Sequence, residues 1–253
     1  MPPQLRQIAD FGTSEPWVAR IEMTMLEFLS LIRVVPRGQD TAATEDQMAA
    51  YKQKQEKAKG QVMALAEELG QAFIDLRRLR VAGGAFSTQL ETVKAYRDLY
   101  EHLWVSYKDR FQKLMQTLGF DVGFIFQKDE KLDQLAAVFL AAHPGVDPEL
   151  IDRIREDKVG WHLALRTHRD DGEHNTDGPT LGDNPLHNLE GAEIIFSNTW
   201  HAMEDVFVCS MEEEFGNQLT IFEVPEAKRN PDAPKKYAVG LTVDTNTGQV
   251  MSR

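Results

Sequence analysis

The stretch that decides the fold is TQLETVKAYRDLYEHLWVSYKDRFQKLMQTL, residues 88–118. Thr88 and Glu91 open it as a capping box, in which two side chains satisfy the free N–H groups at the start of a helix. Apolar and aromatic side chains then recur every three or four residues, the period of one buried helix face: Val93, Tyr96, Tyr100, Leu103, Tyr107, Phe111, Leu114 and Leu118. The stretch therefore predicts one long amphipathic helix.

The residues before it predict a second long helix that runs antiparallel to the first. Thr44 and Gln47 form another capping box, and Gly83-Gly84 is the next strong helix breaker. Between them the apolar residues alternate at spacings of three and four: Val62, Leu65, Leu69, Ala72, Leu76 and Leu79. Residues 44–118 are thus expected to form a helical hairpin with arms of about 30 residues, or about 45 Å at ~1.5 Å per residue.

The rest of the chain completes a mainly α fold, an elongated bundle of about six helices with a small C-terminal β-hairpin. We expect residues 1–216 to form the bundle and residues 217–253 to form a hairpin packed against it. The further helices are predicted from caps, breakers and 3–4 spacing: one from Trp17 after the cap Ser14, one over Lys131–Ala142 capped by Asp129, one from Glu149 to Arg169, and one carrying Ile194, Phe196, Trp200, Met203, Phe207 and Met211. Alternating residues predict the strands 219–224 and 237–243.

Composition excludes several classes of protein. No apolar run reaches the ~20 residues of a transmembrane helix, and the N-terminus Met1-Pro2-Pro3-Gln4 does not have the pattern of a secretory signal. The single cysteine, Cys209, excludes an internal disulfide and fits a reducing compartment. We therefore expect a cytoplasmic protein without a membrane-bound part.

The net charge of −12 comes from one segment. Residues 170–223 contain thirteen acidic side chains and no Lys or Arg, and four of the seven histidines lie in or just before this segment. Its first part, 170–191, has no hydrophobic periodicity and predicts a long acidic loop, which in a compact domain is functional or disordered. An acidic surface repels phosphates unless cations or a basic partner neutralise it.

Two copies of one six-residue pattern, Arg-Asp-x-x-Glu-His, occur at residues 97–102 and 169–174. On a helix the Asp and the His are four residues apart and share a face, so the carboxylate can hold one imidazole nitrogen and raise the basicity of the other. The Arg and the His point about 140° apart, and a second helix is needed for both to grip one ligand. A symmetric dimer would supply that helix.

This pattern resembles the Arg-polar-x-x-x-His signature of HEPN-domain proteins, which are helical bundles, typically dimeric and often metal-independent endoribonucleases. The resemblance implies RNA as substrate, a homodimer, no cofactor, and either an active enzyme or a silent relative, with a defence or toxin–antitoxin setting as one expectation. It implies that His acts on the ribose 2′-hydroxyl or the leaving oxygen and that Arg stabilises the phosphate. The candidate catalytic residues are Arg169, Asp170 and His174, at a predicted helix end beside the acidic loop, and Arg97 and His102 in the other copy.

Other interpretations of the same residues stay open. Both copies can be ordinary helix-surface residues. His168, Asp171, His174 and His187 have the mixed imidazole and carboxylate chemistry of a divalent-metal site. The acidic segment 170–223 can also serve a non-enzymatic protein that binds a basic partner or a divalent cation. RNA cleavage in EDTA separates the enzyme from the interaction protein.

Overall fold

The computed structural model describes residues 16–31, 45–166, 188–215, 219–230 and 235–241. Within these ranges the protein is mainly helical, with six helices and one two-stranded antiparallel sheet, as the sequence predicts. The helices are α1 (Pro16–Leu31), α2 (Glu45–Val81), α3 (89–118), α4 (Asp129–Ala142), α5 (149–166) and α6 (Leu189–Phe215). The strands are β1 (Leu219–Glu223) and β2 (Tyr237–Leu241).

The predicted hairpin of α2 and α3 forms the centre of the bundle. Thr88 accepts a hydrogen bond from the Glu91 backbone N–H and Glu91 reaches back to Thr88, so the predicted capping box is confirmed. All eight apolar residues of the predicted α3 face are buried. Gly84 has a φ of 84° in the turn before α3, and Gly119 has a φ of 99° where α3 ends. Both values lie in the left-handed region that favours glycine.

Helix α3 is not a regular α-helix along its whole length. It is α-helical over Gln89–Trp104, π-helical over Val105–Phe111 and α-helical again over Gln112–Leu118. Helix α5 has a second π-helical segment at Lys158–His162, which follows an α-helical part over Glu149–Asp157. A π-helical turn inserts one residue into the helix and is often found at functional sites. The sequence analysis predicted neither segment.

Two predicted boundaries differ from the structure. Asp129 is the first residue of α4, not its cap, and the residue at the cap position is Lys128. Helix α6 begins at Leu189, so the last three residues of the predicted loop 170–191 are helical. Ile194, predicted for the buried face of α6, is 52% exposed, whereas Phe196, Trp200, Met203, Phe207 and Met211 are buried. The caps predicted at Ser14 and Thr44 lie outside the described residues.

The β-hairpin packs against the helices through polar contacts. Its register pairs Ile221 with Val239 at the centre of the two strands. Tyr237 donates a hydrogen bond from its hydroxyl to Asp205 Oδ1 of α6 at 2.8 Å. Lys235, just before β2, donates to Glu27 Oε2 of α1 at 2.6 Å. The hairpin is therefore joined to both α1 and α6, which supplies the support that an isolated hairpin lacks. No described helix is long and apolar enough to cross a membrane.

Candidate functional site

The preferred copy of the repeated pattern, with Arg169, Asp170 and His174, lies outside the described residues. The same is true of the alternative metal ligands His168, Asp171, His174 and His187. Within the described ranges, no group of three or more His, Cys, Asp or Glu side chains is arranged to hold a metal ion. The structure therefore describes the geometry of the other copy of the pattern, which contains Arg97 and His102.

His102 forms a close contact with a carboxylate of the neighbouring helix. Its Nδ1 atom lies 2.8 Å from Oδ2 of Asp75 on α2, so the contact joins the two arms of the central hairpin. The Asp75 side chain is 3% exposed, whereas 30% of the His102 side chain is exposed. One ring nitrogen is thus fixed by a buried carboxylate while part of the ring still faces solvent, an arrangement that orients the ring and defines its tautomer.

The Asp75 carboxylate also changes the acidity of the imidazole. Its hydrogen bond to His102 is the main cause that holds the pKa of His102 above its usual value. Burial acts in the opposite direction, and the charges of Asp75, Glu68 and Glu101 add to the rise. The carboxylate thereby strengthens the imidazole as a proton acceptor, because a base with a raised pKa binds a proton more tightly.

The partner of His102 corrects one detail of the sequence analysis. The i, i+4 spacing suggested that the carboxylate of the same pattern, Asp98, would hold the imidazole. The imidazole instead contacts Asp75, which comes from a different helix and lies 27 residues earlier in the chain. Arg97 is exposed to solvent. The Asp75–His102 pair, which we call the α2–α3 dyad, was therefore not visible in the six-residue pattern itself.

Arginine side chains of α2 lie beside the α2–α3 dyad. Arg78 Nη1 lies 3.5 Å from Asp75 Oδ1, and the Arg78 side chain is 59% exposed. Arg77 and Arg78 also line a surface groove of about 460 Å³, whose other lining residues are apolar or small: Ile74, Val81, Ala82 and Phe86. A guanidinium beside an imidazole–carboxylate pair can hold a phosphate close to a proton acceptor.

A second feature of interest is a cavity of about 210 Å³ between α3, α5 and α6. Tyr107 lines it from the π-helical segment of α3, and Asp157, which directly precedes the π-helical segment of α5, lines it from that helix. His201 and Asp205 line it from α6. Both irregular segments thus adjoin the same cavity.

The titrating groups of this cavity have perturbed acidities. Burial is the main cause that lowers the pKa of His201 to about 4, and the positive charges of Arg20 and Lys236 lower it further. His201 is therefore neutral at physiological pH. Burial raises the pKa of Asp157, helped by the negative charges of Asp205 and Glu156 and opposed by the hydrogen bond from Trp161. Perturbed titrating groups in a concave site are one indicator of function.

The acidic residues of α6 are largely paired within the protein. Glu204 is fully buried and accepts hydrogen bonds from Arg20 and, at 3.4 Å, from Thr24. Asp205 accepts from Lys236 as well as from Tyr237. Glu193 lies 2.7 Å from Arg80 Nε. In the described part of the 170–223 segment, the carboxylates of Glu193, Glu204 and Asp205 are therefore paired with cations of the protein, and that of Glu204 is fully buried.

Sequence reasoning missed Asp75, the cavity and the buried Glu204. The apolar face of α3 did carry a signal for its irregular segment, because two successive spacings of four, Leu103 to Tyr107 to Phe111, replace the alternating three and four at the place where the helix becomes π-helical. Asp75 had a weaker signal, a carboxylate directly beside Leu76 of the predicted buried face. Neither signal identifies the partner, which comes from another helix.

Comparison of the chain with protein-family models, curated proteins and solved structures gives no match in any of the three. The resemblance to HEPN domains thus remains an expectation from the Arg-polar-x-x-x-His pattern.

Proposed function

We propose that this protein is a metal-independent endoribonuclease of the HEPN-like kind in which His102 is the proton acceptor. The observation that carries the proposal is the 2.8 Å contact between Asp75 and His102, made by an imidazole that is still partly exposed. The neutral ring, held through Nδ1 by Asp75, takes the proton of a ribose 2′-hydroxyl at Nε2. The 2′-oxygen then attacks the adjacent phosphorus, the bond from phosphorus to the 5′-oxygen breaks, and the departing 5′-oxygen takes a proton from solvent water.

The products of this step would be a 2′,3′-cyclic phosphate and a 5′-hydroxyl end. The developing charge on the phosphate oxygens needs a cation, and the guanidinium groups of Arg97 and Arg78 are the candidates. Arg97 is the arginine of the pattern, and Arg78 is the arginine that the structure adds beside Asp75. Because an Arg and a His five residues apart on one helix face different ways, we include in the proposal a homodimer in which Arg97 of one protomer serves the dyad of the other.

The test is cleavage of an unstructured, end-labelled RNA by the purified protein in EDTA. We expect cleavage with 2′,3′-cyclic phosphate ends, and we expect His102→Ala to reduce the rate by about 10²- to 10⁴-fold, the usual range for loss of a general base. The same oligonucleotide with a 2′-deoxy residue at the cleavage site should resist. Light scattering on a sizing column measures whether the active species has the mass of a dimer.

Two control variants make the assignment specific. Lys94→Ala removes an exposed cation one turn before Arg97 and should leave the rate unchanged, whereas Arg97→Ala should lower it. His174→Ala tests the other copy of the pattern: loss of cleavage in His174→Ala alone would move the site to residues 169–174. Intact RNA after prolonged incubation with the wild-type protein would exclude the enzyme.

A second candidate function is the binding of a basic protein partner by acidic surface residues. It is supported by Glu212 on α6, whose pKa is raised by partial desolvation and by the charge of Asp147, which lies just before α5, and is lowered by the charge of Arg153. Both residues are exposed, and a bound cation would relieve their mutual repulsion. Titration calorimetry with a lysine-rich peptide should give salt-sensitive binding that weakens in Glu212→Gln. Asp109→Asn, which removes an exposed charge from α3, is the control.

A further inference from the structure

We propose that the cavity between α3, α5 and α6 binds a small organic ammonium ion, held by the carboxylate of Asp157 and the hydroxyl of Tyr107. This site is separate from the α2–α3 dyad, since neither Asp75 nor His102 lines the cavity. The inference therefore does not depend on the proposed ribonuclease function.

The side chain that points most directly to a ligand is Tyr107. It is 2% exposed and lies among aromatic rings, with the ring centroids of Phe126 and Trp161 at 4.9 and 5.5 Å. Its hydroxyl makes no hydrogen bond to any described residue, although the side chain lines the cavity. The hydroxyl oxygen is not among the fully buried, unpaired polar atoms of the described residues, so it can be reached from the cavity and can accept from a ligand with an N–H donor.

Asp157 also lines the cavity and is held in position. Its Oδ1 accepts a hydrogen bond from Trp161 Nε1 at 2.9 Å, which leaves the other oxygen able to accept from a ligand. Burial raises the pKa of Asp157 and so makes its ionisation costly. The charges of Asp205 and Glu156 add to the rise, and the Trp161 hydrogen bond and the charge of Arg153 oppose it. A cation bound beside Asp157 would reverse that cost, whereas an anion would increase it.

The remaining lining groups also favour a ligand that donates hydrogen bonds. His201 is neutral, with Nδ1 3.3 Å from Ser197 Oγ, and can offer its other ring nitrogen as an acceptor. Among the described lining residues Arg153 is the one that is permanently cationic, and its Nη2 donates to Cys209 Sγ at 3.5 Å. Asp205 Oδ1 is occupied by Tyr237 and Lys236. The available groups are thus mostly acceptors, which match the three N–H donors of a primary ammonium.

The volume of the cavity and the side chains that line it narrow the class of ligand further. About 210 Å³ is less than the ~300–1,000 Å³ of pockets that hold drug-sized ligands, so the ligand has only a few heavy atoms. Bare metal ions are disfavoured, because the described residues contain no cluster of three metal-ligating side chains. Leu150, Ile154, Ala202 and Val206 supply apolar lining that would contact a short hydrocarbon chain, and Glu156 and Asn198 also line the cavity.

The experiment uses n-butylammonium as the probe, with 1-butanol and butyrate as uncharged and oppositely charged compounds of similar size. Binding to the 253-residue protein is followed by the shift of the Trp161 indole N–H resonance, because that group donates to Asp157. We expect saturable shifts with n-butylammonium below roughly 50 mM, a range that covers millimolar Kd values. Neither butanol nor butyrate should shift this resonance.

Variants then show whether the named groups hold the ion. Asp157→Asn should weaken binding at least about tenfold, because a charge-assisted hydrogen bond is lost. Tyr107→Phe, which removes only the hydroxyl, should weaken it several-fold and keeps the proposal testable if Asp157→Asn is poorly folded. Asp152→Asn removes the same charge from the exposed side of α5 and should bind like the wild type. Absence of saturation with n-butylammonium, or equal binding of butanol, would overturn the proposal.

Discussion

Glu204 of α6 holds Arg20 of α1, 184 residues away in the chain, in a salt bridge that is almost completely buried. The Glu204 side chain is 0% exposed and the Arg20 side chain 8% exposed. The Arg20 guanidinium also lies 3.8 Å from the centroid of the Trp200 ring. The first and last described helices are thus joined by one ion pair, in which each partner offsets the cost of burying the other.

Glu204→Gln should therefore destabilise the protein strongly. The substitution keeps the size of the side chain but leaves the Arg20 charge buried without its counter-charge, which typically costs about 3–5 kcal/mol. The measurement is the free energy of unfolding from urea denaturation at pH 7, compared with the wild type.

Glu193→Gln on the same helix is the control for that measurement. Glu193 pairs with Arg80, and both side chains are 42% exposed. Exposed pairs contribute about 0–1 kcal/mol, so this variant should unfold nearly like the wild type. If Glu204→Gln and Glu193→Gln lowered the free energy of unfolding equally, burial of the Glu204–Arg20 pair would not be the cause of its stabilising effect.

The helical bundle was predictable because its signals are local. The capping box at Thr88 and Glu91, the breaker Gly83-Gly84 and the 3–4 spacing of the apolar residues each act within a few positions. The same residues determine the hairpin of α2 and α3, since two long apolar faces joined by a short turn bury each other. The two strands were predictable from alternation and flanking turn residues.

The polar contacts were not predictable, because they join positions far apart in the chain. Nothing near His102 indicates that its partner is Asp75 and not Asp98, since the choice depends on how α2 and α3 pack. The cavity requires three helices and two π-helical segments to come together. The Glu204–Arg20 pair is hidden for the same reason: a Glu in a helix is usually on the surface, and only packing shows that this one is buried.

The α2–α3 dyad should make the free energy of unfolding depend on pH above about pH 6.5. The pKa of His102 is raised in the folded protein by its hydrogen bond with Asp75, relative to about 6.5 in the unfolded chain. The stabilisation is complete below about pH 6.5 and is lost as the pH rises through the folded-state pKa. Urea denaturation between pH 5.5 and pH 8.5 should show this loss in the wild type and not in His102→Gln.

The pKa of His102 itself is measured by NMR titration of its ring protons. It should lie above the usual value in the wild type and fall towards it in Asp75→Asn, because the carboxylate is the main cause of the rise. An unchanged pKa in Asp75→Asn would mean that the contact does not control the imidazole.

His201 should have the opposite effect, on the acidic side. Its pKa in the folded protein is lowered to about 4, first by burial and then by Arg20 and Lys236. Between about pH 6.5 and pH 4 the unfolded chain binds a proton at this position that the folded protein does not, so stability falls as the pH falls. His201→Gln removes this contribution, and its free energy of unfolding should decrease less on acidification. If the free energies of unfolding of the wild type and of His201→Gln changed equally with pH, the low pKa of His201 would be contradicted.

Two glycine-to-alanine substitutions should change stability in opposite directions. Gly60 lies in the middle of α2, is exposed, and a Cβ there would meet nothing within 4 Å. Gly60→Ala should stabilise the protein by about 0.5–1 kcal/mol, because alanine loses less backbone entropy in a helix.

At Gly145, between α4 and α5, an added Cβ would lie 2.9 Å from Glu213 Cγ and 3.5 Å from Glu213 Cα. Glu213 is only 6% exposed and its Cγ is close to the backbone, so it has little room to move. Gly145→Ala should therefore destabilise by about 1–3 kcal/mol, as overpacked sites do. Thermal melting of both variants beside the wild type checks the two signs, and a stabilised Gly145→Ala would mean that α5 and α6 are packed less closely than the structure indicates.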